Sequence, residues 1–185
     1  AVHDTVIRFF GTDPKRQLVV DLTSASPRHA GSAYWGRIRI NLQSQGLEAR
    51  LPAVLGHELC HIYIDQLSDN RVSETFDATR FFHEGLASLV EYRHFRPADE
   101  LAQIRRIAAA ARDRHDLRFE DLASSAALTR LYAPEWVYPL GEVFTSAVVD
   151  TWGDQSPAAI VRAFARKHGI LLPETLVADL IEKGD

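Results

Sequence analysis

The feature that most constrains the fold is His57-Glu58-Leu59-Cys60-His61, two histidines four positions apart with a glutamate directly after the first. Side chains at that spacing share one face when the backbone is α-helical, one turn apart. Val54, Leu55, Leu59, Ile62 and Leu67 form an apolar stripe through the same stretch, so the helix has a buried side beside its histidines. Two imidazoles so placed can meet one ion. Glu58 stands next to them at an angle suited to a polarised water, the H-E-x-x-H arrangement of zinc-assisted hydrolysis.

The histidine segment follows a change of period. Thr5–Phe10, Gln17–Leu22 and Tyr34–Leu42 read as strands, separated by Gly11-Thr12-Asp13-Pro14 and by a polar loop from Thr23 to Gly31. In the third of these, Ile38, Ile40 and Leu42 share one face and Arg37, Arg39 and Asn41 the other, the pattern of a half-buried strand near a sheet edge. From about Leu51 the period is helical, with Pro52 in a first turn and Ser68-Asp69-Asn70 as the break. A second helix starts near Asp77 as N-cap and runs to about His94, before Pro97. A third spans Ala98 to Arg114, and others cover Pro139–Thr151, Pro157–His168 and Pro173–Glu182. The expectation is one α+β domain over residues 1–185, mainly β over 1–50 and mainly α over 51–185.

A catalytic zinc site takes three protein ligands and keeps one position open. The best third ligand is Glu84, on the helix that follows the histidine helix and able to return to the ion if the two pack side by side. Gly85 and Ala87 are small enough for close helix contact, and an interior glycine costs about 1 kcal/mol against alanine, which points to a packing requirement. His83, Glu74 and Asp77 are the competing ligands. His83 projects about 100° from Glu84 on a helix, so the two do not serve one ion together. Cys60 is one residue from His61, faces away from the ion and reads as a small core residue.

Together with Phe82-His83-Glu84-Gly85-Leu86-Ala87-Ser88-Leu89-Val90-Glu91-Tyr92, the histidine motif resembles the gluzincin metallopeptidases, in particular their aminopeptidase-N-like branch. The resemblance covers Leu51 to Tyr92 and, more faintly, Tyr132 to Gly153. It implies a zincin-like, thermolysin-type fold, a Zn2+ cofactor held by His57, His61 and Glu84, and Glu58 as catalytic base. Tyr138, in Tyr138-Pro139-Leu140-Gly141, resembles the family tyrosine that donates to the tetrahedral oxyanion, with Tyr132 as the alternative donor. The implied substrate is a peptide or protein, bound by β-augmentation along Arg37–Leu42. Three departures bear on specificity. The loop between His61 and Glu84 is slightly long, His83 replaces the common asparagine, and no Gly-x-Met-Glu-Asn segment is present to read a free amino terminus. Gly31-Ser32-Ala33-Tyr34-Trp35 lies where that segment would precede the edge strand, but carries no acidic residue. The missing segment argues against aminopeptidase specificity and leaves the substrate endopeptidase-like or open. The alternative reading is an inactive zinc-binding interaction module that keeps the fold.

Composition narrows the other classes. A formal charge of −4 gives no basic field for nucleic acid, and the arginines at 105, 106, 112 and 114 read as a solvated helix face. No stretch has membrane-spanning length. A single cysteine excludes an intrachain disulfide and leaves the compartment open. The start at Ala1 and the absence of methionine suit an excised domain or a processed form.

Overall fold

The chain opens on a helix where the sequence pattern suggests a strand. In the computed structural model, α1 spans Val2–Phe10 and buries Val6, Phe9 and Phe10. The run of β-branched and aromatic residues from Val6 to Phe10 imitates a strand, but Val2, Val6, Phe9 and Phe10 fall at helical spacing. Asp4 in the first turn and Arg8 in the last suit the helix dipole, and Gly11 closes the helix in the left-handed region at φ 62°. The first fifty residues are therefore not simply β. The structure describes residues 1–13, 17–23, 29–34, 36–70, 72, 76–115, 121, 126 and 134–166, except the side chains of 76–78, 112–115, 134 and 163–166.

Strands β1 (Val19–Thr23), β2 (Gly31–Tyr34) and β3 (Arg37–Asn41) form one sheet in the order β1-β3-β2. β1 runs parallel to β3, and β2 runs antiparallel to it. The alternation expected along β3 holds from Arg37 to Ile40, with Ile38 and Ile40 buried and Arg37 and Arg39 exposed, and then fails where the strand ends: Asn41 is buried and Leu42 exposed. Its position does not, because β3 is the central strand and the edges are β1 and β2. Alternation reports which face is covered and carries no information about which strands lie alongside.

Helix α2, Leu47–Leu67, begins a full turn earlier than its apolar period suggests, so Pro52 lies inside it rather than in its first turn. Proline has no N–H to bond the preceding turn, and here it sits on the exposed side, where water can reach the carbonyl left over. From Ala53 to Asp65 nearly every side chain is buried, as the sheet, α1 and the later helices enclose α2. Ser68 ends it, and Asp69 and Asn70 turn the chain with φ of 52° and 62°.

Helix α3 spans Phe76–His94, which puts Asp77 in its first turn and not at the N-cap. Helices α4 (Ala98–His115), α5 (Val137–Trp152, entered through a 3-10 turn at Pro134–Trp136) and α6 (Ser156–Arg166) follow. The helix expected over Pro173–Glu182 lies outside the described residues. The fold is thus mixed α/β, a small three-stranded sheet among mostly helices. No helix among the described residues is long and apolar enough to cross a membrane.

The interface between α3 and α5 positions the site. These helices meet at Gly85 and Gly141, so closely that a Cβ on Gly85 would overlap the Gly141 carbonyl oxygen and lie 2.5 Å from its carbonyl carbon. A Cβ on Gly141 would in turn overlap the Phe81 carbonyl oxygen. The backbones are in contact because neither residue has a side chain, and this crossing fixes Glu84 relative to α5.

Candidate metal centre

α2 contributes His57, Glu58 and His61, and α3 lies alongside it and contributes Glu84. One turn of helix separates the two imidazoles, whose ring centroids are 4.8 Å apart. Glu84 Oε2 lies 3.4 Å from His57 Nε2 and 3.3 Å from His61 Nε2. One ligand atom from each of the three residues lies within 4.8 Å of the others, so the group can hold a metal ion. Of the four ligand candidates raised from the sequence, Glu84 is brought to the histidines. His83 is directed elsewhere: its ring stacks on His61 at 4.3 Å and 11°, with Nε2 3.7 Å from Asp65 Oδ1. Glu74 lies outside the described residues, as does the side chain of Asp77.

The donor chemistry suits a cation. Glu84 Oε2 is shielded from solvent and makes no hydrogen bond, although both imidazole nitrogens face it at ion-pair distance. A buried carboxylate oxygen aimed at two nitrogen donors calls for a positive charge between them. In the metal-free site a proton supplies part of it. Burial alone would lower His57, but the carboxylates of Glu84 and Glu91 on either side of the ring raise it to about 10. His61 is pushed down to about 4 by burial and by the neighbouring His83. Burial would raise Glu84, yet the imidazoles of His61 and His57 hold it well below the usual carboxylate range.

His57 is oriented by a group that the sequence pattern did not single out. Its Nδ1 is 2.9 Å from Glu91 Oε2, two turns beyond Glu84 on the same face of α3. An ionised carboxylate only accepts, so Nδ1 carries a hydrogen towards Glu91, and it is Nε2 that gives up its proton and offers a lone pair when an ion binds. Glu91 in turn accepts from Arg96, whose Nε and Nη2 lie 2.8 and 2.7 Å from Oε1. The Glu84–Glu91 spacing was a signal for the carboxylate, but nothing local marks Arg96, which lies in the turn beyond the helix.

Glu58 is 7% exposed and sits under the sheet edge. A Cβ on Gly31 would come within 2.7 Å of Glu58 Oε1 and 2.8 Å of its Cγ, so the first residue of β2 has to be glycine for the strand to lie this close. Burial pushes the Glu58 carboxyl up to about 7, against the pull of His57. Tyr138, at the start of α5, has its ring 6.1 Å from that of His57. Burial and the Glu84 charge raise its phenol to about 12, opposed by Arg80, which hydrogen-bonds it. Tyr132 lies outside the described residues. Cys60 is fully buried in the apolar core and outside the ligand group, and burial raises its thiol well above the ordinary value.

Two imidazoles, a carboxylate, a second carboxylate beside them and a phenol across from them thus share one region between α2, α3, α5 and β2. No protein-family model, curated protein or solved structure matches the chain.

Proposed function

We propose that the chain is a zinc-dependent peptidase of the gluzincin type on a zincin-like fold, with His57, His61 and Glu84 as ligands and Glu58 as general base. The observation that carries this reading is the convergence of Glu84 on both histidines with Glu58 next to them. The donor set favours zinc: two imidazole nitrogens and one carboxylate oxygen, within 4.8 Å of one another, are the ligand types that catalytic zinc takes. Three protein donors leave a fourth position open for solvent and substrate.

Zinc held there supplies Lewis acidity, lowering the pKa of a water and polarising a carbonyl. The protein groups then divide the proton work. Glu58 takes the proton of the attacking water and delivers it to the leaving amine. The Tyr138 hydroxyl donates to the oxyanion of the tetrahedral intermediate. The Glu91 carboxylate keeps the His57 proton on Nδ1 throughout.

An extended peptide is the substrate class that suits the surroundings. β3 is paired on both sides, which rules out strand addition along Arg37–Leu42. The outer edge of β2 is the alternative, since among the described residues β2 pairs with β3 alone and its Gly31 abuts Glu58. A peptide added there would run past the carboxylate that activates water.

The test is cleavage of an unfolded protein by zinc-loaded wild type and Glu58→Gln. The variant should bind zinc as the wild type does and cleave roughly 10²–10⁴-fold more slowly. Undiminished cleavage by the variant would remove Glu58 from the mechanism. Zinc binding without cleavage by the wild type would favour the non-catalytic module.

A further inference from the structure

The Glu91–Arg96 pair divides the carboxylate in an unusual way. A guanidinium facing a carboxylate commonly engages both oxygens in a parallel fork. Here both Nε and Nη2 of Arg96 go to Oε1 alone, and Oε2 is left to His57 Nδ1. Both side chains are largely out of water, 15% exposed for Arg96 and 12% for Glu91, so this is not a loose surface ion pair. The Tyr92 ring lies 5.8 Å from the Arg96 guanidinium, and Arg96 Nη1 reaches Glu100 at 3.3 Å. A chain of charge therefore runs from Glu100 through Arg96 and Glu91 to His57.

The same turn touches the His57 backbone. Phe95, beside Arg96, packs on Gly56, the residue before His57, so closely that a Cβ there would be 2.7 Å from Phe95 Cδ2. The α3–α4 turn thus holds His57 twice, by its imidazole through Glu91 and by its backbone through Gly56.

We propose that Arg96 is a positioning residue for the metal centre: by occupying Oε1 of Glu91 it directs Oε2 to His57 Nδ1 and so aims Nε2 at the zinc position. The inference rests on the metal reading but not on peptidase activity. Without Arg96, the Glu91 carboxylate is free to rotate, and the imidazole loses both its fixed tautomer and its fixed aim. Partners of this kind commonly change metal affinity by about 10–100-fold.

The experiment is a zinc titration of the full chain, competed against a chromophoric chelator at pH 7, with thermal unfolding of the metal-free protein measured in parallel. Arg96→Met and Glu91→Gln should each weaken zinc binding by about 10–100-fold. Arg96→Lys keeps the charge without the planar fork and should fall between Arg96→Met and wild type. Glu100→Gln, at the solvent end, should bind within about twofold of wild type, because exposed ion pairs contribute little. A purely structural Arg96 would lower the unfolding temperature of the metal-free protein and leave zinc affinity within twofold in Arg96→Met and Arg96→Lys; that result overturns the proposal. If Arg96→Met does not fold, wild-type affinity in both Arg96→Lys and Glu91→Gln overturns it equally. A wild type that binds no zinc would instead overturn the metal reading itself, and this inference with it.

Discussion

Gly85→Ala sets two physical effects against each other. Helix propensity alone makes the change favourable, since alanine in a helix interior is better than glycine by about 1 kcal/mol. Packing opposes it. The added Cβ would overlap the Gly141 carbonyl oxygen, lie 2.5 Å from its carbonyl carbon and 2.8 Å from its Cα, where ordinary contact begins at 3.4 Å. All of these are backbone atoms, with no rotamer to yield, so α3 and α5 have to part by about 1 Å at their crossing. Overpacking of a tight interface costs about 1–3 kcal/mol, and a purely backbone clash belongs near the top of that range. Net of the propensity gain, the variant should lose about 2 kcal/mol. For a chain of this length that is a fall of roughly 4–8 °C in unfolding temperature. Glu84 adjoins the altered residue, so its carboxylate moves with α3 and zinc affinity falls as well. Thermal unfolding of chelator-treated protein gives the first quantity and zinc titration the second. An unfolding temperature equal to or above that of the wild type would refute the packing account, since propensity would then have decided the outcome. Gly56→Ala is the internal contrast, because its Cβ meets a side chain, the Phe95 ring, rather than backbone, and its loss should be smaller than that of Gly85→Ala.

Tyr138→Phe keeps the ring and removes the donor, so kcat should fall by about 10²–10³ while zinc affinity is unchanged; an unaltered kcat would remove the phenol from the mechanism. Arg105→Met takes both guanidinium contacts from Glu142, which is fully buried, and leaves its carboxylate with Ser146. Because the Arg105 side chain is 42% exposed and water can partly replace it, the loss should be about 1–3 kcal/mol in urea unfolding, and unchanged stability would contradict the structural role. Zinc binding should release about one proton at pH 7 and strengthen as pH rises, because His57, raised to about 10, is the protonated ligand of the metal-free site. Calorimetry in two buffers of different ionisation enthalpy counts that proton, and none released would contradict the His57 assignment. The sign for stability is opposite. A histidine raised from its ordinary 6.5 to about 10 adds stability to the metal-free protein below 6.5, and that contribution is lost as pH rises towards 10.

What the sequence made legible follows from what local geometry determines. The His57–His61 spacing needs only the helical period, and the structure brings the two imidazoles together as that period requires. Glu84 was legible through its setting, with Gly85 already hinting at a close helix contact. Its partner Gly141 was not, because nothing along one chain says which two glycines will meet. Glu91 lies on the Glu84 face of α3, but its role depends on His57 across the interface, and that of Arg96 on a turn with no periodic signature. The strand reading of Thr5–Phe10 failed because a run of β-branched and aromatic residues satisfies two patterns, and the deciding residues, Val2 and Asp4, lay outside the window. β3 was read correctly as half-buried and wrongly as an edge. Burial leaves its mark on the strand that is buried, whereas strand order is set by the return of β2 on one side and the parallel approach of β1 on the other.

The most direct test of the central claim is a titration of metal-free wild-type protein with zinc, following bound metal and cleavage of an unfolded protein in the same samples. Cleavage should rise in proportion to occupancy and level off at about one equivalent, the stoichiometry of a single three-ligand site with an open position. Cleavage that is indifferent to zinc, or no binding at one equivalent, would contradict it.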